Sequence, residues 1–492
     1  MFAKWFNQDK GDRMKQLSLF LAGFALLQPL RIGLTAAKFA AKRFALPDKS
    51  LDLFITKIHN SMHLANLTGV LTINIYLWTL GAHTSQCFRG KLSIFTNLLS
   101  TLMNFVLFFV YASGGDRGHV TAYYWNLVLS AYAYGLNQAM AVTVVVKDVA
   151  FFTAAIPLAG VQVSIFHYLF LKATEKIPGF DVNFWLVIWQ IIISITLSAL
   201  SSVLWTSSFL DTGDEVFVYE YDDHEPLVRA IIRAWSPLLM SALGMGIVFG
   251  FYPAIAPYKL APPDTAHRID LVILIVSAMP MLINCVMCAI GLGPNRRWTG
   301  KSKYWHAVWI VAIPYLTCPV LFLVAMHKPQ SAIGYAILNN SYFCGFLCVT
   351  IVTGYGIFKS VGFSAVGLQG GYKNGRVSTF NSLVSFIMLV SCSFIGGGYL
   401  RAYKSFEDDR DNWPTKGFGF WKSFAFWWSH ALTRGIKSVA STFTLDIRAE
   451  MEQVNVVLLV NHIEPTTSEL SPASNPVEDT LVSTDDLLLP AK

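Results

Sequence analysis

Arg31 stands in the middle of an apolar run, directly after Gln28-Pro29-Leu30. A guanidinium presents five N–H donors in a planar fork and keeps its charge. At the centre of a membrane helix an arginine costs about 2.5–3.5 kcal/mol on insertion scales, so such a residue marks a solute or ion pathway by default. Pro29 frees the carbonyl four residues before it, which together with Arg31 marks a broken helix that lines a cavity. The plainer alternative is a shifted helix whose Arg31 reaches the interface along its own stem. Two further groups share the pattern. Asn137 and Gln138 lie inside YGLNQAM, where the Gln138 amide can both donate to and accept from a polar ligand, or equally hold two helices together. Asn284 is the strongly polar side chain of MPMLINCVMCAIG. Such groups can hold a polar solute, but they cannot break a bond.

Signs of catalysis are missing. There is no GxSxG, no HExxH and no pair of intramembrane carboxylates. No glycine-rich phosphate loop follows a strand. The chain is therefore expected not to be an enzyme and to use no cofactor. Cys285-x-x-Cys288 has the spacing of a redox or metal pair. With no second pair of ligands, it reads as two small packing residues and no metal is expected.

The elements that must position these groups are membrane helices. The chain has 492 residues, 54% hydrophobic and 14% charged, with a mean hydropathy of +0.48. Soluble domains carry about 25% charged residues. Eleven apolar runs are each long enough to span a bilayer: 17–37, 61–83, 92–112, 120–146, 150–171, 184–205, 228–256, 270–292, 305–326, 332–358 and 379–400. Helices are expected throughout, because backbone groups find no water in hydrocarbon. The net charge of +7 is scattered over short loops, as in flanks of membrane helices, so nucleic acid is not an expected partner.

The expected organisation is an all-α polytopic membrane protein in a six-plus-five arrangement. Residues 1–16 form a cytosolic N-terminus, 17–206 a six-helix bundle, 207–227 an acidic inter-bundle loop and 228–400 a five-helix bundle. The loop holds Asp211, Asp214, Glu215, Glu220, Asp222, Asp223 and Glu225. An aromatic segment, 401–450, with Trp413, Trp421, Trp427 and Trp428, suits the headgroup level. The tail, 451–492, has the composition of disorder.

Prolines punctuate the spans. FGFYPAIAPYKLAPP closes the seventh run with Tyr252-Pro253, and AIPYLTCP in the ninth carries Pro314. Broken helices of this kind point to a transporter site or its gates. Here the pattern resembles the equilibrative nucleoside transporter family, in particular divergent members from protozoan parasites. In PLRIGLT, Pro29 and Thr35 match that family's first span, while Leu30 and Arg31 replace a tryptophan and an asparagine. Gln138 in GLNQA matches its fourth span, AIPLAG its fifth and Tyr252-Pro253 its seventh. WIVAIP keeps Pro314 but has Trp309 in place of an arginine, and TGYG keeps Gly354 and Tyr355. Where the family's eighth span has an aspartate and an arginine, this chain has Asn284 and no arginine.

The resemblance implies eleven spans in a fold related to the major facilitator type. It also implies facilitative transport of nucleosides or nucleobases by alternating access. Leu30, Arg31, Gln138 and Asn284 would face the solute, with Pro29, Tyr252, Pro253 and Pro314 as gates or helix breaks. The implied partners are a small-molecule substrate and the lipid bilayer, and the implied location is the plasma membrane. Two rivals stand beside this: a transporter of another small polar solute, and a multi-pass protein that no longer transports and serves an interaction.

Overall fold

The computed structural model describes residues 10–47, 50–80, 86–115, 119–210, 226–253, 255–369, 375–407, 409 and 412–452. The acidic stretch 211–225 and the tail from 453 lie outside the described residues. Among the described residues every regular element is a helix.

The first span is broken twice. α1 (Lys10–Leu26), α2 (Gln28–Thr35) and α3 (Ala37–Arg43) follow one another across turns at Leu27 and Ala36. Pro29 sits in the first turn of α2, where its missing N–H would have had no partner. α4 (Leu51–Thr79), α5 (Gln86–Ala112), α6 (Val120–Val144), α7 (Val149–Thr174) and α8 (Val182–Phe209) complete the N-terminal bundle. The C-terminal bundle begins with α9 (Leu227–Arg233) and α10 (Trp235–Phe251), bent by 76° at their junction. α11 (Pro263–Ala289) follows, then a 3₁₀ stretch Gly300–Val311 running into α12 (Ala312–His327), then α13 (Ala332–Asn339), α14 (Ser341–Ala365) and α15 (Gly375–Glu407). Asn340 caps α14 by accepting from the amides of Tyr342 and Phe343, at 3.0 and 3.2 Å.

Nine described helices are long and apolar enough to cross a membrane, or ten with the bent pair counted as one. α4 fills the remaining place among the expected spans. Its 29 residues reach about 43 Å, beyond the roughly 30 Å of hydrocarbon. Its apolar average is diluted by polar groups such as His63, Asn66 and Asn74, all buried inside the protein.

Polar side chains do much of the packing within the N-terminal bundle. Asn97 and Asn104 of α5 bond Ser201, Ser202, Ser198 and Ser194 of α8 at 2.7–3.3 Å. Where helices cross closely, glycine is required. A Cβ on Gly135 would lie 2.4 Å from the Asn66 carbonyl, and one on Gly396 would lie 2.2 Å from that of Gly250.

The bundles meet along a seam, with α7 against α11 and α14, and α15 against α4 and α6. At the end where α6 stops and α15 begins, Thr143 bonds Thr379 and the bare Gly375 rests on the Thr143 carbonyl. Ala154, Met281 and Cys285 form a small buried cluster at the same end, between α7 and α11.

α16 (Phe420–Ala440) packs on α15, with Trp427, Ala431 and Gly435 turned inward. Phe420, Trp421, Phe424 and Trp428 face outward. The chain then crosses to the N-terminal bundle. Ile447 and Met451 are fully buried there. Lys57 pairs with Glu450 at 2.8 Å and donates to the Ser441 carbonyl at 2.6 Å. The Tyr124 hydroxyl donates to the Thr442 carbonyl at 3.0 Å, and Arg448 to that of Phe44 at 2.9 Å. Residues 441–451 thus strap the two bundles together at the end opposite Thr143.

Candidate functional site

Gln28 fixes the start of α2. Its amide donates to Gln162 of α7 at 3.0 Å and accepts from Gln190 of α8 at 3.2 Å. One turn on, Arg31 is half-buried, and its guanidinium lies flat on the bare surface of Gly160. A Cβ at that glycine would come within 3.1 Å of Cζ and 3.2 Å of Nε. The side chain therefore turns into the protein against α7, and not along its stem toward an interface. Its Nε is buried without a partner, and among the described residues Arg31 forms no ion pair or side-chain hydrogen bond.

The titratable side chains near Arg31 come from both bundles. Tyr134 of α6, with His59 and His63 of α4, lies on its N-terminal side. Tyr252, Asp270 and Tyr355 lie on its C-terminal side. His59 and His63 are one turn apart on α4 and touch through their Nε2 atoms at 3.0 Å. His63 meets Phe249 of α10 edge to face at 5.9 Å, and Phe249 meets Tyr355 at 6.1 Å. The Tyr252 hydroxyl donates to Asp270, which also accepts from Tyr258 at 3.4 Å. Lys359 of α14 is buried, and its ammonium donates to the Tyr355 hydroxyl at 3.0 Å.

The other expected site residues fall in different places. Leu30 is buried in the N-terminal core. Gln138 is buried on α6 four residues from Tyr134, so the two share a face. Among the described residues the Gln138 amide makes no hydrogen bond. Asn284 is buried on α11, and its Oδ1 has no hydrogen-bond partner among the described residues. Its amide donates to the Ser360 carbonyl at 3.1 Å and to Ser364 Oγ at 2.9 Å, tying α11 to α14. Asn284→Ala is accordingly expected to cost about 1–3 kcal/mol of stability. Thermal unfolding should register that loss, while the KM for any transported solute stays unchanged.

Tyr252 ends α10 in an extended conformation, and Pro253 beyond it is exposed. The Phe251 carbonyl there is satisfied by the amides of Ile255 and Ala256, both at 3.0 Å. Pro314 is exposed in the first turn of α12. Its neighbour Tyr315 is buried, and its hydroxyl donates to the Gly244 carbonyl at 2.8 Å.

Sequence reasoning passed over His59, His63, Asp270 and Lys359, and the place of Tyr355 near Arg31. The i, i+4 spacing of the two histidines, and of Tyr355 and Lys359, was the available signal.

No protein-family model matches the chain, and no curated protein matches it. Solved structures do. A double-tryptophan mutant of XylE aligns over 89% of this chain and 98% of that one, at 11% identity and a TM-score of 0.53. XylE is described as a major facilitator superfamily proton:xylose symporter. Two looser alignments have TM-scores below 0.5. One is an outward-facing bacterial homologue of the iron transporter ferroportin, at 11% identity over 88% of this chain and 98% of that one, with a TM-score of 0.48. The other is the nucleoside transporter NupG, at 13% identity over 87% and 100%, with a TM-score of 0.37. At such identities the likeness is one of fold, and that fold, an all-helical pair of bundles, is the major facilitator type.

Proposed function

We propose that the chain is a facilitative transporter that moves nucleosides or nucleobases down their gradient by rocking its two bundles about a site at their seam. One observation carries this reading. Arg31 of the N-terminal bundle shares its surroundings with Tyr252, Asp270 and Tyr355 of the C-terminal bundle. A solute held there touches both bundles, so its binding favours the state that brings them together. Gln138, one turn from Tyr134, supplies a donor and an acceptor suited to a base edge. Phe249 and Tyr355 supply aromatic faces. The nucleoside class itself rests on the family resemblance of Pro29, Thr35, Gln138 and Tyr252-Pro253, and the plasma membrane is the location that resemblance favours.

Uptake by the purified full chain in liposomes tests the proposal, with labelled adenosine, hypoxanthine and AMP. Saturable uptake of at least one solute is expected, with a KM about tenfold higher in Gln138→Ala, the loss of one good hydrogen bond. Absence of saturable uptake for all three solutes overturns it.

A further inference from the structure

We infer that the solute carries a negatively charged group, and that Arg31 and Lys359 receive it from opposite bundles. The inference rests on the transport reading and names the class of solute within it.

A buried cation is tolerated when it is paired, and an ionisable group within the membrane normally has its partner close by. Three ion pairs are found among the described residues: Lys57–Glu450, Lys259–Glu407 and Arg448–Glu452. None of them involves Arg31 or Lys359. Among the described residues the carboxylate near Arg31 is Asp270, and it is held by the hydroxyls of Tyr252 and Tyr258. Lys359 is 5% exposed, and among the described residues its one side-chain partner is the Tyr355 hydroxyl. An ammonium has three donors, so two are left over.

Tyr355 joins the two cations. It is one of the titratable side chains near Arg31 and the hydrogen-bond partner of Lys359. A planar guanidinium from one bundle, an ammonium from the other and a phenol between them suit a phosphate or carboxylate group. Such a group would supply the missing counter-charge. It would also be bound most tightly when both cations reach it, which links occupancy to closure of the seam. For a nucleoside-like solute, the expected form is the one bearing a phosphate.

Adenosine and AMP make a matched pair of probes, with inorganic phosphate and succinate as anions without a base. The full chain in liposomes is expected to take up AMP with at least about tenfold higher kcat/KM than adenosine. Phosphate or succinate should compete with AMP. Arg31→Gln and Lys359→Gln should each lower kcat/KM for AMP by about ten- to hundredfold, and with it the ratio of AMP to adenosine uptake. Arg31→Lys, which keeps the charge, should recover part of it. Should either variant fail to fold, the wild-type preference for AMP over adenosine decides alone. Saturable adenosine uptake with AMP, phosphate and succinate all inert would overturn the anion inference and leave the transport reading standing. No uptake of any probe would remove both.

Discussion

Gly160→Val is expected to lower saturable uptake by about ten- to hundredfold while the protein remains folded. The bare surface of Gly160 is the floor on which the Arg31 guanidinium rests. A Cβ there already stands 3.1 Å from Cζ and 3.2 Å from Nε and Nη2, and the two methyls of valine add to it. The fork must swing out of the seam. A hydrogen bond to a charged group contributes about 1.5–3 kcal/mol, which corresponds to that range of rates. Gly160→Ala, with one carbon added, should have a smaller effect. Uptake in liposomes, read beside thermal unfolding, separates lost function from lost structure. Normal transport by a folded Gly160→Val protein would show that the position of Arg31 does not matter to the solute.

The second large effect concerns the strap. Ile447→Asp combined with Met451→Asp is expected to detach residues 441–452 from the N-terminal bundle. Both side chains are fully buried, and burial of each contributes about 1.5–3 kcal/mol. A carboxylate cannot remain in either place without a partner. Trypsin should then cut after Arg448 much faster than in the wild type. The strap ties together ends that must part if the bundles rock, so uptake should also become faster. Unchanged cleavage would show that the segment does not depend on these two anchors. Faster cleavage with unchanged uptake would show that the strap does not brake the cycle.

Much of the architecture was legible because hydrocarbon leaves the backbone so few choices. Long charge-poor runs had to be helices, and Pro29 suits the first turn of a helix, where no N–H is needed. Arg31 was legible for the same reason, since a cation amid apolar residues stands out. Its surroundings were not. Asp270 opens the eighth apolar run and Lys359 lies just past the end of the tenth, so both look like ordinary flanks of a span. His59 and His63 straddle the start of the second run. Only the broken first span and the crossing of α7 with α14 bring these positions toward the seam, and linear spacing holds no trace of that. Asn284 shows the converse. It stands out as a polar residue amid apolar neighbours, but linear spacing could not show that its Nδ2 ties α11 to α14 while its Oδ1 is left without a partner among the described residues.

The strap also bears on what happens if the polypeptide is severed between the bundles. Lys57, Tyr124 and Phe44 lie upstream of the acidic connector, while Glu450, Thr442 and Arg448 lie downstream. Each piece thus carries one half of a non-covalent clasp. Two fragments produced separately would hold the complementary parts needed to find each other and reassemble in the correct mutual orientation.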